Sequence, residues 1–196
     1  MKTLNLEIKG TCPLLQHDDK LVNHFSENAK RFKALSSKKH KDEADLKEMT
    51  RIEWLSSLYH TPPKGYFIKA ECFESAFYAA AKTERLGKLF KQAASIPDDP
   101  IFHFPDETLT PEELFTREQY VNYASVKIQH NKIFRCRPIF NEWHCAVQIV
   151  YNEELIDAGT LKSIAEYAGR FVGICDFRPK YGRFEVVGAK EINDRP

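Results

Sequence analysis

Residues 142–192 change hydrophobic period twice, and this constrains the fold more than any other feature of the chain. "EWHCAVQIVY" (142–151) alternates, with Trp143, Cys145, Val147 and Ile149 on one side and His144 on the other, the mark of a half-buried strand. Residues 160–171 switch to helical spacing, with Leu161, Ile164, Ala165, Ala168 and Phe171 on one face and Thr160 as the expected cap. "RFEVVGAKEI" (183–192) returns to extended character. Upstream, "TLNLEI" (3–8) alternates around Leu4, Leu6 and Ile8, residues 71–85 form a helical stripe through Phe73, Phe77 and Ala80 or Ala81, and 120–128 reads as a strand with Ala124, Val126 and Ile128 on one face. The order β-α-β-β-α-β predicts an α+β, ferredoxin-like (split β-α-β) fold: one antiparallel sheet of four strands with both helices on one face.

Two stretches do not fit that order and read as insertions into a single domain spanning 1–196. Residues 23–63 form a helical insertion after the first strand, with one stripe at Phe25, Ala29 and Phe32 and a second at Leu46, Met49, Ile52 and Leu55. "HTPPKG" (60–65) stops it. Residues 95–119 form an irregular insertion in which "TPEE" (110–113) is a capping box with Pro111 at the first helical position. "GKLFKQAASI" (87–96) reads as a basic turn, and "NKIFRCRPIF" (131–140) as continued extended chain.

Charge decides what the chain can bind. The net charge is only +1, so any polyanion must be held by a local concentration of cations. Three such concentrations exist. In "GRFVGICDFRPKYGRFEV" (169–186), Arg170, Arg178, Lys180 and Arg183 stand among Gly169, Gly173 and Gly182, residues that let backbone approach a phosphate, with Phe177 and Tyr181 placed to stack on bases. In "KIQHNKIFRCRP" (127–138), Lys127, His130, Lys132, Arg135 and Arg137 occur without an acid, the two arginines sharing a face by period two. In 30–41, six Lys or Arg, Lys38, Lys39 and Lys41 among them, form a tip with His40. Each has a plainer reading: glycines that end a helix and open a strand, an edge strand charged against aggregation, a solvated helix face.

Five scattered cysteines (Cys12, Cys72, Cys136, Cys145, Cys175) form no CxxC pair and fit a reducing compartment. The first residues lack the apolar core of a signal peptide, and no apolar run reaches the length of a membrane span, so a cytoplasmic protein is expected. There is no Walker loop, GxGxxG, GxSxG, HxxxH or HExxH, so no cofactor and no metal are expected. The histidines are dispersed. His17, beside Asp18 and Asp19, is the one candidate for a catalytic base. A nucleotide-cyclase palm shares the topology but needs paired metal-binding carboxylates, and Glu7 and Glu142 each lack an acidic partner.

Three segments resemble the RAMP superfamily, the ferredoxin-like RNA-binding proteins of CRISPR effector complexes, above all their backbone subunits: "LEIKGTCPLLQHDD" with its G-x-x-PLL strand exit, "GYFIKAECFESAFYAAAKTER", and the glycine loop at 169–186. The same three-part pattern is associated with small bacteriophage proteins. The glycine loop carries fewer glycines than the family usually shows. The resemblance implies a non-enzymatic protein that binds single-stranded nucleic acid, RNA favoured over DNA, and that can assemble head to tail with copies of itself. Two alternatives stay open: a phage protein-interaction module such as an inhibitor of host defence (anti-CRISPR-like), or a metal-independent ribonuclease using His17.

Overall fold

The structure, a computed structural model, describes residues 1–128 and 131–192, with side chains at 126–133 set aside. The chain divides into two compact units. The first comprises residues 1–14, 60–105 and 141–196, and the second residues 15–59 and 106–140.

The first unit is built on β1 (Lys2–Gly10). It pairs antiparallel with β10 (Phe184–Ile192) on one side and with β9 (His144–Tyr151) on the other. Beyond β9 lie two short strands, β5 (Ala94–Ser95) and β6 (Phe102–His103), so the order is β10-β1-β9-β5, with β6 also on β9. The alternation read in the sequence explains the burial. Leu4, Leu6, Ile8, Cys145, Val147 and Ile149 point into the core, while Glu7, Lys9, His144, Ala146 and Gln148 face solvent. The core face is covered by α3 (Ala70–Thr83) and α6 (Ala158–Tyr167). Phe73, Phe77, Ala80 and Ala81 of α3 and Leu161, Ile164 and Ala165 of α6 are buried. Phe184 packs edge-on against Phe73, Phe77 and Trp143. A hairpin of β3 (His60–Thr61) and β4 (Gly65–Tyr66) turns through Gly65, whose φ is 78°.

Three expectations are corrected in this unit. "GKLFKQA" is no turn but a helix, α4 (Gly87–Ala93), because Phe90 and Ala93 find the core. The cap of α6 is Asp157, whose carboxylate accepts the Thr160 N–H at 2.9 Å. Phe171 is exposed: after Tyr167 the helix widens into a π turn (Ala168–Val172), which advances the side chains relative to the 3.6 period and carries Phe171 off the buried face.

The second unit holds α1 (Glu27–Ser36), α2 (Glu43–Ser57), α5 (Pro111–Phe115), and a sheet of β2 (Leu14–Leu15, which begins in the first unit), β8 (Asn131–Phe140) and β7 (Val121–Ile128). The strand at 120–128 therefore does not join the sheet of β1. It pairs antiparallel along its length with 131–138, as extended runs adjacent in sequence commonly do. The helical hairpin is present, α1 against α2. Its stripes differ from those read in the sequence. Ala29 and Ile52 are buried as read, but Phe25 precedes α1 and is 87% exposed, Leu46 is exposed, and α2 buries Glu53 and Trp54 as well. Trp54 donates its indole N–H to the Tyr120 carbonyl at 2.9 Å, which makes it an amphipathic anchor rather than a simple stripe member. The Thr110–Glu113 capping box forms as read.

No helix among the described residues is long and apolar enough to cross a membrane.

Candidate nucleic-acid interface

The glycine loop of the first unit is built from the backbone outward. Gly173 ends the π turn at φ 74°, its N–H bonding the Ala168 carbonyl at 2.8 Å. The chain then leaves on a loop that closes where Ile174 N–H meets the Gly182 carbonyl at 2.9 Å. Gly182 also has positive φ, 73°, and a Cβ there would lie 2.0 Å from the Ile174 oxygen. A Cβ at Gly169 would lie 2.3 Å from the Phe184 oxygen. The glycines are thus required by turn geometry and by close approach of the turn to β10. The loop is pinned as well to the exit of β1. Gly182 N–H reaches the Pro13 carbonyl at 2.8 Å, Thr11 N–H reaches the Arg183 carbonyl at 2.9 Å, and Cys12 Sγ accepts the Arg183 N–H at 3.2 Å. Arg178 reaches Ser75 of α3 at 3.5 Å. The strand exit, the start of α3 and the glycine loop therefore meet at one end of the sheet.

That scaffold presents cations rather than neutralising them. Arg178, Lys180 and Arg183 are exposed, and among the described residues none of them has a carboxylate partner. The one acid within the loop, Asp176, accepts the Phe177 N–H at 2.9 Å. Phe177 is 54% exposed although its φ of 55° is unusual for a bulky residue, and such backbone strain costs about 1–3 kcal/mol and concentrates where a loop is used. Tyr181 is half-buried beside it, ring centroids 6.1 Å apart, and the Lys180 ammonium stands 5.4 Å from the Tyr181 ring and 5.9 Å from that of Phe177. Arg170 belongs elsewhere: it lines a cleft of about 710 Å³ with Glu84, Asp157 and Glu166, in an acidic setting.

The second unit treats its arginines differently. Arg135 donates to Glu53 Oε1 at 2.7 Å, and Glu53 Oε2 accepts the Cys136 N–H at 3.0 Å. Glu53 is a buried carboxylate on α2, so the guanidinium serves it rather than a ligand. Arg137 is buried. The expectation that Arg135 and Arg137 form an open binding face is corrected: Arg137 is buried and Arg135 is held by Glu53 of α2. The side chains of Lys127 and Lys132, and the whole of His130, lie outside the described residues. On the other face of the hairpin Tyr123 and Phe134 stack in the open, centroids 5.6 Å apart. Sequence reading missed this pair, although each aromatic stands two positions from a polar or core residue of its own strand.

The basic tip is partly spent. Lys38 pairs with Asp45 at 2.5 Å, which raises the lysine's pKa and lowers the carboxylate's, in each case through their mutual hydrogen bond. Lys41 donates to the Lys38 carbonyl at 2.8 Å. Lys39 remains exposed. The two signals that could have warned of this, Asp42 and Asp45, lie just past the run and also cap α2.

His17 is exposed, with Nδ1 3.3 Å from Ser57 Oγ, and its neighbour Asp18 is buried and ion-paired to Lys20 at 3.4 Å. His17 belongs to the second unit and the glycine loop to the first. Cys136, Cys145 and Cys175 are poor nucleophiles. Burial pushes Cys145 up to about 12, burial and then Glu53 push Cys136 up to about 12, and burial and then Cys72 raise Cys175. Among the described residues no three His, Cys, Asp or Glu side chains cluster as a metal site. No protein-family model matches the chain, and no curated protein matches it.

Proposed function

We propose that the chain binds single-stranded nucleic acid, RNA in preference to DNA, through the glycine loop of its first unit. One observation carries this: Arg178, Lys180 and Arg183 stand exposed and, among the described residues, without carboxylate partners around Phe177 and Tyr181, on a backbone held by glycines and by hydrogen bonds to the β1 exit. Cations give affinity through phosphates, and exposed rings accept bases of any sequence. The sheet order, with α3 and α6 on one face, supports the ferredoxin-like split β-α-β reading of the first unit, its second strand reduced to β5 and β6. A RAMP-type origin, and head-to-tail assembly along a strand, belong to the same proposal. The test is a gel shift at low salt with single-stranded RNA and DNA oligonucleotides. The wild type shifts the RNA, and charge reversal at Arg178 and Arg183 abolishes the shift. Absence of any shift by the wild type would sink the reading.

A second reading has its own support. The stacked, exposed Tyr123 and Phe134 on a hairpin whose arginines face inward suit a protein partner better than a phosphate backbone, as expected of an interaction module such as an inhibitor of host defence. Substituting both by serine would then abolish partner capture and leave the RNA shift intact.

A further inference from the structure

The solvent face of the first unit's sheet carries a histidine pair that the nucleic-acid reading does not use. His103 is the second residue of β6 and His144 the first of β9, and the two stand directly opposite across antiparallel strands. Opposed residues share a face, with Cβ atoms about 4.5–5.5 Å apart. Both are exposed, and the neighbouring residues of that face, Glu7, Lys9, Ala146 and Gln148, are exposed too. The imidazole rings lie 5.2 Å apart between centroids, inclined by 30°.

That separation has a chemical meaning. A zinc–nitrogen bond of about 2.0–2.1 Å, added to the reach from ring centre to nitrogen, sets each ring centre about 3.2 Å from a shared ion, so a tetrahedral angle places the two centres about 5 Å apart. The observed rings stand at this distance before any ion arrives. The pair is fixed by the sheet on one side through the ladder of β9 with β1, and His103 is held by a strand of only two residues. Imidazole is a borderline ligand that selects zinc, nickel and copper over magnesium and calcium.

We propose that His103 and His144 form a two-histidine site for a divalent transition-metal ion of the zinc class, open to solvent at its remaining positions. The ion would tie the short β6 to the central strand β9, so its binding stabilises the sheet by mass action. Lys9 lies opposite His144 on β1 and adds a like charge, but its flexible stem lets the ammonium turn away, and Glu185 faces Lys9 from β10. The open positions next to Lys9 would accept a water or an anionic oxygen. The inference is independent of the nucleic-acid proposal and stands or falls by itself.

The test uses the untagged full chain. Zinc chloride and nickel chloride are titrated by calorimetry, with thermal melting read in parallel. Saturable binding of one ion per chain is expected, with a rise in melting temperature that EDTA reverses. His103→Ala and His144→Ala, both at exposed positions, should each weaken binding by at least about tenfold, since even a group that only hydrogen-bonds a metal ligand is worth about 10–100-fold in affinity. His17→Ala and His60→Ala should leave it unchanged. The proposal is overturned if no saturable binding appears up to millimolar metal, if both His103→Ala and His144→Ala bind as the wild type does, or if magnesium binds equally well.

Discussion

Two arginine-bearing regions of this molecule look alike as text and behave oppositely in the fold. In the second unit Arg137 is buried, and the buried carboxylate of Glu53 on α2 takes the Arg135 guanidinium at 2.7 Å. In the first unit Arg178, Lys180 and Arg183 leave a strained loop and meet no carboxylate among the described residues. The difference teaches that a cationic run stays exposed only where the fold fails to supply its counter-charge. One region uses its cations to make a buried acid tolerable, and the other keeps them exposed.

The largest way to break this contrast is to remove the acid. Glu53→Ala leaves Arg135 without its charge partner and the Cys136 amide without an acceptor. It should cost the second unit about 3 kcal/mol or more, read by urea unfolding and by amide exchange at Cys136. Retention of wild-type protection there would show that the ion pair contributes nothing to the hairpin.

Next is the loop backbone. Gly182→Ala meets both a left-handed φ and the Ile174 oxygen, whereas Gly65→Ala meets the same sign of φ but open space. The first should cost more than about 2 kcal/mol and the second about 1 kcal/mol. Equal losses in urea titrations would mean that crowding at Gly182 is relieved by movement of the loop.

The third effect is on binding. Arg178→Ala with Arg183→Ala should lower the salt slope of RNA affinity by about 1.4, at about 0.7 for each single-strand phosphate no longer neutralised. Filter binding from 50 to 200 mM salt measures it, and an unchanged slope would place the phosphate-binding cations elsewhere. The smallest effect belongs to the helical tip. Lys38→Ala and Lys39→Ala should each change RNA affinity by less than about twofold, because Lys38 is already paired and such exposed charges are screened. A tenfold loss in the same assay would return the tip to the interface.

Much of the fold was legible in the sequence for a definite reason. Leu4, Leu6 and Ile8, Val147 and Ile149, and Phe73 and Phe77 form single-period patterns within one element, and local period reports which side is buried. The glycine loop was legible as a place of unusual backbone, since Gly173 and Gly182 do take positive φ. Legibility failed where burial depends on what arrives from far along the chain. Glu53 and Arg135 are 82 positions apart, and nothing in either strand or helix announces their meeting. Phe171 kept helical spacing in the text and lost it to a π turn.

By itself the sequence determined most of the helices and strands, where the capping box at Thr110 sits, and that cations collect in three runs. Local sterics, capping and hydrophobic period suffice for those, because each involves residues within one or two turns of each other. Only the tertiary structure decided that the 120–128 strand leaves the β1 sheet, that the arginines of one run are turned inward while those of another stay exposed, and that His103 and His144 face each other across β6 and β9. Strand pairing and charge compensation are set by partners remote in sequence, and their energies are realised only once those partners share one environment.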